Sequence, residues 1–140
     1  MRRGFSLIEL VFVICIAAII AAIGLTRNSS SDARHRLDLA ERRVEADMRL
    51  ARRDAWHAST PRRFIFDAAT DSYTIEGMVD DAGNPYVVEL GKAPYFLDLQ
   101  SVDIAGLSEV TFDGRESGPP SGTMQLKAGG ITEARVITGE

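Results

Sequence analysis

The chain of 140 residues contains a single cysteine, Cys15. No intrachain disulfide is therefore possible, and whatever folds must be stable without one, even in an oxidising compartment. Histidine is nearly as scarce. His35 and His57 are too far apart in sequence to share a local site, so each reads as a solvated residue rather than a ligand. There is no phosphate-binding glycine loop, no paired-cysteine motif and no serine nucleophile elbow. Asp80, Asp81 and Asn84 supply a few oxygens but lack EF-hand spacing, which favours an acidic surface turn over a calcium loop. With these features missing, no catalytic residue, metal or cofactor is expected, and the sequence reads as that of a non-enzyme.

What the chain does have is an apolar run. Residues 4–25, GFSLIELVFVICIAAIIAAIGL, follow Arg2 and Arg3 and carry one charge, Glu9. About 20 apolar residues are what a helix needs to cross the hydrocarbon core at ~1.5 Å per residue. Positive charge ahead of the run predicts a cytoplasmic N-terminus with the remainder exported. A carboxylate in such a helix costs roughly 2.5–3.5 kcal/mol at its centre and less near an end, so Glu9 asks for a partner. Cys15 reads as an apolar filler. Two plain alternatives exist. An ordinary secretory signal could use Ala22-Ile23-Gly24 as a small-x-small cleavage site, but Glu9 and the length of the run fit it poorly. A plain signal anchor explains neither Gly4-Phe5 nor Glu9.

Arg2-Arg3-Gly4-Phe5-Ser6-Leu7-Ile8-Glu9-Leu10 resembles the class III signal of type IV pilins and type II secretion pseudopilins. That resemblance implies cleavage by a membrane prepilin peptidase between Gly4 and Phe5, N-methylation of Phe5, and retention of the apolar segment. Gly4 and Phe5 would thus be processing residues. Phe5 and Glu9 would be assembly residues, the carboxylate pairing with the Phe5 ammonium of a neighbouring subunit. The physics agrees, since two poorly solvated opposite charges attract strongly and either alone is costly. The implied partners are other pilins or pseudopilins in a helical filament, the prepilin peptidase and an inner-membrane assembly platform. The implied location is the inner membrane, crossed once, with the head in the periplasm.

Past the apolar run, Gly24, Thr26 and Asn28-Ser29-Ser30-Ser31-Asp32 interrupt the helical pattern. Many pilins carry a proline near the place of Thr26. Ser31 or Asp32 would cap a restarted helix, and the interruption reads equally as a kink, a melted turn or a soft spot. From there Ala33, Leu37, Ala40, Val44, Met48, Ala51, Ala55 and Ala58 recur in steps of three and four, which places them on one helical face. The alanines at the far end would let a β-sheet approach closely. Leu39, Leu50 and Trp56 fall off this stripe; packing against the head is favoured over contact with a neighbouring subunit. Ser59-Thr60-Pro61 ends the helix.

The remainder reads as β-structure. Strands are expected at 62–67 and 72–76, joined as a hairpin by Ala68-Ala69-Thr70-Asp71. Further strands are expected at 86–90, 95–100, 102–104 (short, an edge) and 109–113. A last hairpin, 122–127 with 132–137, turns about Ala128-Gly129-Gly130. Residues 80–85 are dense in turn formers and predict a surface loop, as do residues 114–121.

Leu50-Ala51-Arg52-Arg53-Asp54-Ala55, Thr60-Pro61 and Arg63-Phe64-Ile65-Phe66 are similar to the GspH/FimT branch of minor pseudopilins. Val110-Thr111-Phe112-Asp113-Gly114 and the closing Val136-Ile137-Thr138-Gly139 resemble head strands of the same branch. The expected fold is therefore α+β and pilin-like: a long N-terminal helix, membrane-spanning in its first half, packed on a C-terminal antiparallel β-sheet head. The expected segments are a leader at 1–4, a transmembrane and assembly helix at 5–27, an amphipathic stem at 28–60 and the head at 61–140.

Charge is uneven along the chain. Arg34, Arg36, Arg42, Arg43, Arg49, Arg52, Arg53, Arg62 and Arg63 crowd the stem, whereas beyond Phe64 only Lys92, Arg115, Lys127 and Arg135 oppose many acids. Such polarity suits contacts between the head of one subunit and the stem of another, although solvated faces are the ordinary outcome. The function expected is a structural and assembly subunit of a type II secretion pseudopilus or type IV pilus-like filament. The alternative is a DNA-binding minor pilin of an uptake system, because the arginine-rich stem offers phosphate contacts. Interleaved acids and an acidic head weigh against nucleic acid as a partner.

Overall fold

A computed structural model describes residues 7–113 and 121–138, with side chains described for these except at 22–30. The chain is α+β, one helix followed by antiparallel strands. Helix α1 is assigned without interruption over Leu7–Ala58, so the second helix start expected at Ser31 or Asp32 is not made. Two compact units divide at this point in the sequence, residues 1–32 and 33–140.

In the first unit, every side chain described between Leu7 and Ala21 is exposed, most of them apolar. Among the described residues no helix is long and apolar enough to cross a membrane. The described apolar stretch stops at Ala21, and the sequence run continues to Leu25 through residues whose side chains are not described.

The second unit carries the whole buried core. Ala33, Leu37, Ala40, Val44, Met48, Ala51 and Ala55 of α1 are buried, as their spacing dictates. Ala58, expected on the same stripe, is exposed because the helix ends beneath it. Ser59 leaves the helix at φ +51°, the left-handed conformation that commonly terminates helices, and the Thr60 hydroxyl donates to the Ala58 carbonyl at 3.1 Å.

Among the described residues seven strands form two sheets rather than one. The first sheet orders β3 (Pro85–Glu89), β2 (Ser72–Val79), β1 (Arg62–Asp67) and β5 (Glu109–Phe112) side by side, all antiparallel. Alternation along β1 turns Phe64 and Phe66 inward, where they meet Tyr73 of β2 in a cluster with ring centroids 4.8–5.8 Å apart. On the opposite face of β1, Arg63 bridges Glu76 at 3.0 Å and Glu109 at 2.8 Å. These acids come from the strands on either side, β2 and β5.

The second sheet orders β4 (Asp98–Asp103), β6 (Gly122–Ala128) and β7 (Ile131–Ile137). Strand β6 alternates strictly, with Gly122, Met124, Leu126 and Ala128 inside. Ala128 pairs with Ile131 across Gly129-Gly130, and Gly129 at φ +58° supplies the left-handed step that a two-residue hairpin requires. The strand expected over 95–100 starts only at Asp98 and merges with the one expected at 102–104. Tyr95 and Phe96 belong instead to a turn, both amides donating to the Lys92 carbonyl at 3.0 Å. The merged strand is an edge, as expected for residues 102–104.

Asp71 joins the two sheets. It sits in the β1–β2 turn at φ +49° and accepts the Leu90 and Gly91 amides on its carbonyl. Its carboxylate accepts the Leu99 amide of β4 at 2.7 Å.

Candidate functional site

The residues singled out from the sequence do not gather into one pocket. Gly4 and Phe5 lie outside the described residues. Glu9 occupies the first turn of α1, where a carboxylate is favoured by the helix dipole, and it is exposed. Among the described residues it has no hydrogen-bond or ion-pair partner. It is the only charge in the apolar run at 4–25.

A second polar constellation lies in the head, built around Asp47. This residue is 5% exposed and sits beside the apolar stripe, next to Met48. Three donors converge on its carboxylate: Tyr73 Oη at 2.7 Å, Arg43 Nε at 2.9 Å and Tyr86 Oη at 3.1 Å. Arg43 Nη2 also donates to Tyr86 Oη at 2.8 Å, which closes the network. Burial, reinforced by the hydrogen bond to Asp47, pushes the Tyr73 phenol far above its ordinary value. Tyr86 is raised as well, by burial first and then by the Asp47 charge. For Arg43, burial pulls downward, but the hydrogen bond and charge of Asp47 outweigh it and the guanidinium stays protonated. The network fastens the helix to β2 and β3 through Tyr73 and Tyr86.

Sequence reasoning grouped Arg43 with the stem charges and passed over Asp47. The available signal was the i, i+4 spacing of the pair together with the position of Asp47 three residues after the buried Val44.

Two further ties hold the helix. Arg135 of β7 reaches Asp38 at 2.8 Å and Glu41 at 3.1 Å, and it also contacts Glu133 at 2.7 Å. Arg62 meets Asp54 at 2.6 Å. The helix is thus pinned to the second sheet through residues 38 and 41 and to the first through residues 43, 47 and 54.

Around the Asp47 network, the end of β2 and β3 form an open groove of about 430 Å³ with the helix. Leu50, Met78, Val79, Val87 and Val88 give it apolar walls, and Asp80 and Asp81 stand on its rim. Asp80 holds its own turn. It accepts the Ala82 and Asn84 amides at 2.9 and 2.8 Å, and these backbone bonds, that of Asn84 foremost, lower its pKa. Among the described residues no group of three or more His, Cys, Asp or Glu is arranged to hold a metal ion.

The packing expected for Leu39, Leu50 and Trp56 against the head is not made. They are 39%, 36% and 68% exposed. Leu39 and Trp56 stand on the outer face of the helix, whereas Leu50 sits at its edge and faces β2 and β3 only across the open groove. Arg42, Arg49 and Arg53 share this outer face at i, i+7 and i+11, and none has a hydrogen bond or ion pair among the described residues. No protein family, no curated protein and no solved structure matches the chain.

Proposed function

We propose that this chain is a minor-pseudopilin-like assembly subunit, anchored by its N-terminal apolar helix and incorporated into a type II secretion pseudopilus or type IV pilus-like filament. The observation that carries this reading is Glu9: one carboxylate in an otherwise apolar segment, exposed and without a partner among the described residues. A charge so placed is costly in a membrane unless a cation from outside the chain neutralises it. The ammonium created by cutting between Gly4 and Phe5 is such a cation, one helical turn away on an adjoining subunit. The exposed apolar side chains from Leu7 to Ile20 support the same reading, because they need lipid first and neighbouring stems afterwards.

Two measurements test it. Mass spectrometry of the native protein is expected to show a methylated Phe5 as the first residue; an intact Met1 or a start after Ile23 overturns the reading. Glu9→Val is expected to insert normally but to be lost from sheared filaments, and normal incorporation would refute the charge pairing.

The DNA-uptake alternative is favoured by one observation, the stripe beside Trp56 of Arg42, Arg49 and Arg53, which have no ion pair among the described residues. Against it, Arg43, Arg62, Arg63 and Arg135 are all held by carboxylates. If the alternative holds, the full chain in detergent binds duplex DNA with an affinity that falls steeply with salt. No binding at low salt removes it.

A further inference from the structure

The outer helix face and the groove are complementary in both shape and charge. The face presents Trp56, exposed to 68%, flanked on the same stripe by Arg49 and Arg53, which pair with no acid among the described residues. The groove offers apolar walls at Leu50, Val79 and Val87 and an acidic rim at Asp81. Val79 and Val87 are themselves largely exposed, so these apolar walls stand uncovered between the polar groups of Arg43, Asp80, Asp81 and Tyr86, and no described residue fills the space. An aromatic side chain with a cation beside it is what such a groove would hold: the ring removes the valines from water and the guanidinium meets the acid.

We propose that the groove is the seat for Trp56 of a second copy of this chain, with Arg53 of that copy facing Asp81. The two patches are different surfaces, so the contact is heterologous and repeats without closing on itself. Its geometry also sets a stagger. Along α1 the groove is level with Arg43 to Leu50, and Trp56 lies six residues beyond Leu50 and thirteen beyond Arg43. In copies that run parallel, seating Trp56 there offsets one from the next by about 10–20 Å along the helix axis, at ~1.5 Å per residue. The parallel arrangement rests on the filament reading given above; the pairing of Trp56 with the groove does not.

Cysteine cross-linking in cells tests the pairing. Cys15→Ala removes the only native thiol, and two differently tagged full-length forms are then co-expressed, one with Trp56→Cys and the other with Val87→Cys. Mild oxidation is expected to give a mixed dimer well above that from a Trp56→Cys and Thr132→Cys control pair. Arg53→Glu in the Trp56→Cys form is expected to lower the yield about two- to fivefold, the range of a surface ion pair, and Asp81→Lys in the other form to restore it. A yield equal to the control, a dominant 56–56 dimer, or capture of Trp56→Cys by a different protein each overturns the second-copy assignment. The Glu9→Val chain separates the two readings. If it assembles normally while the 56–87 link persists, the filament mechanism fails and the groove contact stands. If it fails to assemble while wild-type filaments show no 56–87 link, the reverse holds.

Discussion

Tyr73 Oη lies 2.7 Å from Asp47 Oδ2, and this bond joins a fully buried aromatic of the first sheet to the one buried acid of the helix. Because Asp47 is almost wholly enclosed, replacing its carboxylate by an amide removes the charge that Arg43 meets and leaves one acceptor oxygen where two phenols and a guanidinium had donated to two. Asp47→Asn is expected to destabilise the head by about 2–4 kcal/mol. Tyr73→Phe, which deletes one donor and keeps the ring, should cost about 1–2 kcal/mol. Denaturant unfolding of both variants checks the order; equal stability of Asp47→Asn and wild type would show the network to be incidental.

The same groups fix the response to alkali. Tyr73 and Tyr86 hold their protons more tightly folded than unfolded, through burial and the Asp47 carboxylate. Their contribution is therefore complete below the unfolded tyrosine value of about 10 and is lost as pH rises beyond it toward the folded values. At the acid end Asp67 and Asp80 are lowered by backbone amide bonds, from Ala69 and Asn84 first. Their contribution is present above about pH 4 and fades as pH falls through the folded values. A stability plateau between these limits is expected, and Tyr73→Phe should flatten the alkaline descent. An unchanged alkaline slope in that variant counts against the assignment.

Gly122 opens β6 beside the end of β4. A Cβ there would stand 2.6 Å from Ile104 Cγ1 and 2.8 Å from the Asp103 carbonyl oxygen, and the second of these is backbone that cannot swing aside. Gly122→Ala is expected to lower stability by about 1–3 kcal/mol. Gly130→Ala, with open space around it, is the matched control and should change little. Thermal melts of the pair decide the matter.

Asp71→Ala removes the carboxylate that accepts the Leu99 amide and puts alanine at a positive φ that aspartate tolerates better. A loss of about 1–3 kcal/mol is expected, with faster amide exchange at Leu99 before other sites. Asp71→Asn keeps an acceptor oxygen and should recover most of it. Protection at Leu99 that survives Asp71→Ala would place the join between the sheets elsewhere.

Where local pattern decides the outcome, the fold was legible from residues alone. The alanine-rich stripe, the β1–β2 hairpin and the Gly129-Gly130 turn needed nothing beyond periodicity and turn chemistry. The division into two sheets was not legible, since it depends on which strands pair across long stretches of chain, β5 with β1 and β4 with β6, and the tie between the sheets spans the 28 positions from Asp71 to Leu99. The start of β4 was misplaced for a related reason: Tyr95 and Phe96 have strand-forming side chains, but two backbone bonds to Lys92 hold them in a turn. Leu39, Leu50 and Trp56 were apolar and so read as inward, although the core was already closed by the smaller residues of the stripe and only Leu50 meets the head, at the groove. Of the candidate site, Glu9 stood out because a charge in an apolar run is conspicuous, whereas Asp47 was camouflaged among the many charges of the stem.

Because one helix, from Ala33 to Ala55, supplies a wall to both sheets, a protease would have very unequal effects along it. A nick ahead of Ala33 would release a head that still owns every part of its interior. A cut a few turns later, between Leu37 and Ala55, would expose the aromatic cluster and both sheet faces at once, and the fragment could not be shed intact.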